Sequence, residues 1–553
     1  MALGKWTRRI LLGLGVLVAL VVAAGVGFWL WYRAQFLPSG GPLRPRQAAY
    51  DVRRYDLAVA LDPATETLTG SNRATLLAVA PLDAVELQLD GHLAVGGAKV
   101  DGAPAAFSHR DGLITVPLAT PWRPGELHTV EIAYGGHPKV AARPPWMDGV
   151  VWARTPSGAP WLGVTVEGDG ADDWWPVKDH PSDEPDEGMT IALTVPSTLV
   201  GLTNGRKLGE SVHADGTTTS HWVVSYPINN YGVTFNAAPY VPIEAAYHGV
   251  DGTRDEKIVF WALPEHAAAA RRMWTREAAK ILAVLGRRFG EYPFWNDKFA
   301  VVEAPYKGME HQTLVAYGED FRDNKYGFDE LLLHEVAHEW WGNAVTARDW
   351  ADFWLHEGFA TYAEALYVLD TQGEERYLEY MKRLRRATRN RTPIVQGSDL
   401  TADQAYIGDI YAKGACVLHT LKWLIGDEAF FRALRRFATD DAFAYKLVAT
   451  ADFERLVEEI SGRRFPWFWQ RYLHRAELPR WTLARTSAGA GRETVTLAWD
   501  DPAFELPLPV AIAGDERRVE MPGGRARLEV AAGAAVAVDP RGLVLAVRPR
   551  AAS

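Results

Sequence analysis

The sequence has one cysteine, Cys416, and no internal repeat, and it has no excess of positive charge. A single cysteine excludes an intramolecular disulfide, and we expect it to act as a small buried hydrophobic residue. The formal net charge of −10 argues against nucleic acid as the main partner. The acidic balance by itself indicates no particular substrate.

What the sequence does contain is typical of a folded protein with several domains. Its 553 residues are 48% hydrophobic and 23% charged, which is the balance of globular rather than disordered chains. A chain of this length predicts about two to four domains, because a single hydrophobic core stops growing well below this size.

The N-terminal segment predicts a membrane anchor. Residues 10–32 carry no charge over 23 positions, follow three basic residues and end in a group of aromatic residues. A helix of this length can cross the hydrocarbon core, and aromatic residues favour its interface with water. The alternative is a cleaved signal peptide, but the apolar run is too long and bulky residues occupy the place of a cleavage site. We expect a cytoplasmic tail at residues 1–9, an anchor at residues 10–32 and a linker at residues 33–48.

This anchor predicts a cellular location. The basic residues before it indicate a single-pass protein with a cytoplasmic N-terminus and with the bulk of the chain outside the cytoplasm, on the periplasmic side of a bacterial inner membrane. Membrane lipid is then a partner of residues 10–32. Small residues recur every four positions within the span, which would let two such helices pack as a homodimer; these are Gly15, Ala19, Ala23 and Gly27.

The rest of the chain divides into three regions by its pattern. Residues 49–247 show short alternating runs separated by glycine, proline, aspartate and asparagine, which predicts a large β domain. Helical spacing dominates residues 248–479, beginning with a helix at residues 266–289 that ends before Gly290. Residues 480–553 return to short strand-like runs and predict a small β domain. The predicted fold class is therefore multidomain α+β.

The residues that carry chemistry begin with an HExxH motif, which consists of His334, Glu335 and His338. The apolar residues around it have helical spacing, and positions i and i+4 of a helix lie on one face. Two imidazoles in this arrangement can bind one zinc ion, and the glutamate beside them can reach a water molecule on the metal. The motif alone is only moderately specific, because a catalytic zinc site needs a third protein ligand.

Glu357 is the predicted third zinc ligand. It lies near the start of a second helical segment, and 18 residues separate it from His338. This is enough chain for a loop and a return helix that brings the carboxylate over both histidines. His356 is an alternative ligand that would point away from the Glu357 face. We expect Glu364 to be a solvated carboxylate or a hydrogen-bond partner of a ligand.

Four segments together resemble the gluzincin aminopeptidases, the family of aminopeptidase N and leukotriene hydrolase. The first is HExxH, followed after 18 residues by Glu357 within Trp-Leu-x-Glu-Gly-Phe-Ala. Residues 307–311 are similar to the exopeptidase motif Gly-x-Met-Glu-Asn, and residues 411–414 match the Tyr-x-Lys-Gly stretch. Residues 174–181 resemble the Phe-Pro-x-x-Asp-x-Pro segment of the family's β domain. The resemblance extends from about residue 50 to residue 475.

The resemblance implies a fold and further functional residues. It implies a saddle-like β domain followed by a thermolysin-like catalytic domain; after these we expect a small C-terminal β-sandwich. It assigns Tyr411 as the catalytic tyrosine, and it assigns Glu310 and Glu167 to the binding of the substrate's α-amine. Lys307 and His311 depart from the motif, which has glycine and asparagine at these positions, and they alter the part of it that contacts the peptide backbone.

These residues define an expected reaction. One zinc ion per chain would polarise the scissile carbonyl and lower the pKa of its water, from which Glu335 takes a proton for the leaving amine. The phenol that binds the developing oxyanion would be Tyr411, with Tyr406 as the alternative. Carboxylates at Glu310 and Glu167 would bind a free N-terminal ammonium. We therefore expect a zinc aminopeptidase acting on peptides with a free N-terminus. The alternatives are a zinc endopeptidase, an epoxide hydrolase, or a catalytically silent membrane-anchored binding protein.

Overall fold

The computed structural model describes residues 5–34 and 39–547, which fall into two units divided after Pro38. The first unit contains helix α1 (Lys5–Ala34). Among the residues that the structure describes, no helix is both long and apolar enough to cross a membrane. The anchor predicted over residues 10–32 is therefore not supported, although these residues are helical.

The second unit begins with a region rich in strands, and residues 50–238, all of them described, contain no α-helix. Its strands are β1 (Tyr50–Asp62), β2 (Thr67–Ala78), β3 (Leu82–Gln88), β4 (Leu93–Val100), β5 (Ala103–Ala105), β6 (Ser108–Arg110), β7 (Leu113–Trp122), β8 (Leu127–Gly136), β9 (Gly149–Arg154), β10 (Pro160–Thr165), β11 (Met189–Pro196), β12 (Val200–Thr203), β13 (Arg206–Val212), β14 (Thr217–Val224) and β15 (Phe235–Ala238). They form an eight-stranded sheet in the order β13-β14-β11-β1-β2-β8-β4-β5, a four-stranded sheet β12-β15-β10-β9 and a three-stranded sheet β3-β7-β6. The prediction of a large β domain is confirmed.

The packing between these sheets fixes the segment that joins β10 to β11. In β1, alternate residues point into the core, as the period-two pattern predicts. Two adjacent tryptophans of the joining segment are fully buried between the sheets. The ring of Trp175 lies 5.0 Å from that of Tyr55 on β1, and the ring of Trp174 lies 5.1 Å from that of Phe235 on β15. This anchoring matters for function because the same segment carries Glu167.

A five-stranded sheet begins the helical part of the chain. Its strands are β16 (Val241–His248), β17 (Asp255–Ala262), β18 (Ala300–Glu303), β19 (Gly308–Met309) and β20 (Leu314–Tyr317), in the order β16-β17-β18-β20-β19. β17, β18 and β20 are parallel, whereas β19 is an antiparallel edge strand. β16 spans residue 247, where the sequence predicts a domain boundary, and it pairs with β17. The predicted domain boundaries remain predictions.

In the second unit, one α-helix lies between β17 and β18, and the other described α-helices follow β20 as far as residue 472. They are α2 (Ala267–Phe289), α3 (Glu330–Ala337), α4 (Trp354–Gln372), α5 (Glu374–Ala387), α6 (Ala402–Ala405), α7 (Asp409–Ile425), α8 (Asp427–Thr439), α9 (Thr450–Ser461) and α10 (Pro466–Tyr472), with a parallel strand pair formed by β21 (Val345–Ala347) and β22 (Lys446–Val448). The helix predicted at residues 266–289 is confirmed as α2. It ends at Gly290, whose φ of 109° is a conformation that side chains disfavour. The multidomain α+β class is thus confirmed.

The C-terminal part forms two small sheets. Its strands are β23 (Trp481–Gly489), β24 (Arg492–Trp499), β25 (Leu508–Ile512), β26 (Asp515–Val519), β27 (Arg525–Ala531) and β28 (Val536–Val538). One sheet has the order β23-β24-β27 and the other β26-β25-β28. The segment that follows packs back on the helices, where the hydroxyl of Tyr472 donates a hydrogen bond to the Leu545 carbonyl at 2.8 Å.

Candidate active site

Helix α3 places the two histidines of HExxH beside each other. Asp329 precedes the helix, and its carboxylate accepts a hydrogen bond from the Leu332 amide at 3.0 Å, which caps the N-terminus. His338 follows His334 by one turn, and their Nε2 atoms are 3.2 Å apart. Both imidazoles therefore face the same point in space, as their spacing predicts.

Helix α4 supplies Glu357 from its first turn. A short 3-10 turn leads into this helix and is capped by Asp349, whose carboxylate accepts a hydrogen bond from the Ala351 amide at 2.9 Å. Glu357 Oε2 lies 3.2 Å from His334 Nε2 and 3.6 Å from His338 Nε2. The structure thus brings all three predicted ligands together, with one ligand atom of each within 4.8 Å of the others.

The hydrogen bonds around the histidines show that this cluster fits a zinc ion. His334 Nδ1 bonds to the Glu364 carboxylate at 2.7 Å, and His338 Nδ1 bonds to the Trp341 carbonyl at 2.8 Å. Both partners are acceptors, so each Nδ1 carries a proton and each Nε2 presents a lone pair to the centre. Two lone pairs and a carboxylate that converge in a buried space need a cation between them, and this donor set suits zinc.

Glu335 lies on α3 between the two histidines and is only 7% exposed. Burial raises the pKa of its carboxyl to about 8 against the positive influence of His334, and the charge of Glu310 acts in the same direction as burial. The edge strand β19 passes directly over it. A Cβ atom on Gly308 would lie 2.7 Å from Glu335 Oε1, so a side chain at this position would displace the Glu335 carboxylate.

Glu357 has the opposite electrostatic character. Burial disfavours its charged form, but the two imidazoles beside its Oε2 atom outweigh burial and hold its pKa well below the usual range. Glu357 is therefore a carboxylate, as a metal ligand must be.

Helix α7 brings Tyr411 to the same carboxylate. α4 and α7 cross in close contact, because a Cβ atom on Gly414 would lie 2.9 Å from the Cα atom of Gly358. The Tyr411 hydroxyl donates a hydrogen bond to Glu357 Oε1 at 2.8 Å, and its ring stacks on that of His334 with centroids 6.0 Å apart. The predicted catalytic tyrosine thus lies beside the predicted metal ligands.

Tyr406, the alternative tyrosine, reaches the same place from the loop before α7. Its hydroxyl lies 3.1 Å from Glu357 Oε1, 2.5 Å from the Tyr411 hydroxyl and 3.4 Å from Glu167 Oε2. Tyr406 is 39% exposed, whereas Tyr411 is more enclosed. Both hydroxyls therefore lie beside Glu357, where either phenol can donate a hydrogen bond to an oxyanion.

Glu310 and Glu167 converge on the site from different parts of the fold. Glu310 directly follows β19, and Glu167 lies two residues after the end of β10. Glu310, Glu167 and Glu357 each place one carboxylate oxygen within 4.8 Å of the other two. The side chains of Glu310 and Glu167 are buried, with 3% and 7% of their surface exposed. Glu167 Oε1 has no hydrogen-bond partner among the described residues. Such a group of buried carboxylates can bind a cation such as an ammonium.

The two departures from the family motif have different surroundings. The Lys307 Nζ atom lies 3.2 Å from the Glu319 carboxylate in an exposed ion pair. His311 is fully buried, and neither of its ring nitrogens has a hydrogen-bond partner in the part of the chain that the structure describes. Burial lowers the pKa of His311 to about 3, so the ring is neutral.

Several residues near the site carry no signal in the sequence. Asp148 Oδ2 accepts the amide of Asp169 at 2.9 Å and thereby holds the turn after Glu167. The Asn343 side chain donates to the Glu310 carbonyl at 2.8 Å. Both contacts join loops that are distant in sequence, so no local pattern could have indicated them. Glu364, in contrast, is buried and bonded to a ligand, which is one of its two predicted roles.

His356, the alternative ligand, does not face the metal cluster. Its Nε2 atom accepts a hydrogen bond from the Ala347 amide at 2.8 Å, and its Nδ1 atom lies 3.4 Å from the Tyr231 hydroxyl. Both nitrogens are thus occupied by groups other than the three ligands.

Comparison with known proteins supports this arrangement. Residues 277–472 match the model of the peptidase family M1 domain. Aminopeptidase B of Rattus norvegicus is 28% identical over 219 residues, which are 35% of this chain and 32% of that protein. Aminopeptidase N of Streptomyces lividans is 32% identical over 143 residues, which are 24% of this chain and 16% of that protein. The matched part thus spans about a third or less of the length of these curated relatives.

Solved structures cover more of the chain. The M1 zinc metallopeptidase of Deinococcus radiodurans is 26% identical, with a TM-score of 0.65 over 80% of this chain and 97% of that one. A variant of it with bound Tyr-Ser-Ala substrate is 26% identical with a TM-score of 0.66, again over 80% of this chain and 97% of that one. The motifs, the site and these relatives together support the assignment of the chain to the gluzincin aminopeptidase family of zinc metallopeptidases.

Proposed function

We propose that the chain is a zinc-dependent aminopeptidase that hydrolyses the first peptide bond of peptides with a free N-terminus. The observation that carries this proposal is the presence of two clusters that share Glu357. One cluster is the set of zinc ligands, and the other contains Glu310 and Glu167. A reaction centre next to a buried group of carboxylates is the arrangement that an enzyme acting on a cationic chain end requires.

The residues divide the chemistry among them. A bound zinc ion supplies a Lewis acid that polarises a carbonyl and makes water more acidic. The carboxylate of Glu335 accepts the proton of the attacking water and then delivers it to the leaving amine. The Tyr411 hydroxyl donates a hydrogen bond to the carbonyl oxygen as negative charge develops on it. The remaining task, the recognition of the substrate, falls to Glu310 and Glu167.

The substrate's free amine decides where the chain is cut. A peptide α-amine is largely cationic near neutral pH, and charge-assisted hydrogen bonds to buried carboxylates are strong. Acetylation of the amine removes the cation and leaves Glu310 and Glu167 desolvated without a partner. Cleavage of an N-acetylated peptide should therefore be slower by at least about a hundredfold.

The experiment compares kcat/KM for a free peptide and its N-acetylated form, with and without a chelator. Glu310→Gln should keep the metal and lose the preference for the free peptide. Glu303→Gln is the matched control, because Glu303 is also buried and accepts the Leu263 amide at 2.8 Å, away from the cluster. Internal cleavage of acetylated peptides at the same rate would indicate an endopeptidase, and zinc binding without any turnover would indicate a binding protein.

The cellular location is a separate proposal that rests on the sequence alone. The uncharged run at residues 10–32 supports attachment to a membrane, with the catalytic part on the periplasmic side and pairing of two such helices as a secondary possibility. Cell fractionation and digestion of spheroplasts by added protease test it. Activity found wholly in the soluble fraction of cells that express the full chain would refute it.

A further inference from the structure

Tyr231 occupies a rigid position at the edge of the carboxylate cluster. It lies in a 3-10 turn (Asn230–Gly232) between β14 and β15, and its amide donates to the Asn229 side chain at 3.2 Å. Its ring is 3% exposed and lies against Trp350 and Phe353, with centroids 5.8 and 6.4 Å away. The turn and the two aromatic rings leave the hydroxyl little freedom to move.

The Tyr231 hydroxyl connects two residues of the site. It donates a hydrogen bond to Glu310 Oε1 at 3.1 Å and lies 3.4 Å from His356 Nδ1. His356 Nε2 accepts the Ala347 amide at 2.8 Å, so the imidazole proton is on Nδ1 and points to the phenol oxygen. The phenol has one proton, which it gives to Glu310. The hydrogen bonds therefore run in one direction, from Ala347 through His356 and Tyr231 to Glu310.

We propose that Tyr231 and His356 are positioning residues that hold the Glu310 carboxylate at a fixed distance from the metal centre. His356 directly precedes the predicted ligand Glu357 on α4, so this relay passes through the helix that carries a predicted metal ligand. It ends on the carboxylate that binds the substrate amine, which is the part of the inference that rests on the proposed function. These hydrogen bonds thus fix the distance between the amine-binding carboxylate and the metal centre, and this distance corresponds to one residue of the substrate.

The relay acts on the side chain because the backbone of Glu310 is fixed separately. The Asn343 side chain holds the Glu310 carbonyl at 2.8 Å, which leaves the carboxylate free to rotate about the side-chain bonds. Only the Tyr231 hydroxyl is a hydrogen-bond donor to Glu310 Oε1 among the described residues. Without it, the carboxylate would be drawn to other partners in the cluster, and the amine would no longer be held at one distance.

The test is the ratio of kcat/KM for a free peptide to that for its N-acetylated form, measured with Tyr231→Phe. This variant keeps the ring and removes one hydrogen bond to a charged group, so the ratio should fall by about 10- to 100-fold, mainly through KM of the free peptide. Zinc content and the rate for the acetylated peptide should not change. Tyr240→Phe is the matched control, because Tyr240 is also buried and its hydroxyl donates to the Glu303 carbonyl at 2.7 Å.

Two further variants show whether Tyr231 acts through Glu310. In the double variant of Tyr231→Phe and Glu310→Gln, the ratio should equal that of Glu310→Gln alone, since both changes break the same link. His356→Asn shortens the donor and should lower the ratio in the same direction, which keeps the proposal testable if Tyr231→Phe does not fold.

The outcomes separate this inference from the proposed function. A wild-type enzyme that cuts free and acetylated peptides equally would refute both. A wild-type enzyme with a high ratio, together with Tyr231→Phe and His356→Asn variants that keep it, would refute the relay alone. A loss of rate that is equal for both peptides would also refute it, because a purely structural role affects every substrate in the same way.

Discussion

The hydrogen bond between Glu364 and His334 gives a prediction about zinc affinity. Glu364 Oε1 accepts the His334 Nδ1 proton at 2.7 Å, and the two side chains are only 6% and 15% exposed. The other carboxylate oxygen bonds to the Tyr380 hydroxyl, which holds the group in place. Removing the carboxylate leaves a buried N–H group without a partner and frees the imidazole to rotate or change its tautomer.

The expected size of the effect follows from this geometry. An unpaired buried donor costs about 1–3 kcal/mol, and loss of an outer partner of a metal-binding histidine typically weakens metal binding by about 10- to 100-fold. Glu364→Ala should therefore raise the zinc dissociation constant by about 10- to 100-fold, or about 1.4–2.8 kcal/mol. The zinc dissociation constant of Glu364→Gln should lie between those of Glu364→Ala and the wild type, because an amide oxygen can still accept the hydrogen bond from His334 Nδ1.

Competition with a chromophoric zinc chelator at neutral pH measures the dissociation constant directly. Activity of Glu364→Ala should return when free zinc exceeds the new constant, because no ligand has been removed. Glu277→Ala is the control, since Glu277 is a buried carboxylate that accepts the Tyr367 hydroxyl of α4 at 3.1 Å without contacting a ligand. If Glu364→Ala binds zinc as tightly as the wild type, the hydrogen bond from Nδ1 to Glu364 does not control the tautomer of His334, and the prediction is wrong.

Three further predictions concern the remaining residues. A chelator should abolish activity, and Glu335→Gln should keep about one zinc ion per chain while losing nearly all turnover, as metal analysis and peptide hydrolysis will show. Tyr411→Phe should lower kcat by about 10²–10³-fold with little change in KM. If Tyr406→Phe shows this loss and Tyr411→Phe does not, Tyr406 is the residue that binds the oxyanion. Burial raises the pKa of Asp148 to about 6 from its ordinary value of 3.8, so the folded state keeps a proton that the unfolded chain releases. Its contribution to stability is full below about pH 4 and is lost as the pH rises through about 6. The difference in Tm between the wild type and Asp148→Asn should therefore decrease as the pH rises from about 4 to about 6. A difference that does not change with pH would contradict the assignment.

The metal cluster could be predicted from the sequence because its spacing is local. His334 and His338 are one helical turn apart, so their common direction follows from helix geometry alone. Glu357 needed one more assumption, a helix that returns over α3, and the short distance along the chain makes this return natural. The two glycines that let α4 approach α7 are visible in the sequence, but their contact with each other is not.

The carboxylate cluster could not be derived in this way. Glu167 is far from Glu310 in sequence, and it reaches the site only because two buried tryptophans fix its segment between sheets. Family resemblance indicated its place, whereas residue type and spacing alone did not. Tyr231 carried no signal of any kind, because a tyrosine in an Asn-Asn-Tyr-Gly turn predicts only a turn. The predicted anchor at residues 10–32 is a different case, in which a clear pattern has no support in the structure.

Glu357 explains why the metal centre and the carboxylate cluster must be considered together. Its Oε2 atom faces both histidine Nε2 atoms, while its Oε1 atom accepts the hydroxyl of Tyr411. Because the two oxygens belong to one carboxylate, a shift of α4 that disturbs the ligands also moves the phenol. His356, one residue earlier, transmits the same shift to Glu310 through Tyr231. Under the proposed function, one helix turn thus sets the positions of the metal ligand, the oxyanion donor and the amine-binding carboxylate at once. We expect that a substrate whose amine lies at any other distance from its scissile bond cannot satisfy all three, so this geometry would favour removal of one terminal residue over cleavage within a chain.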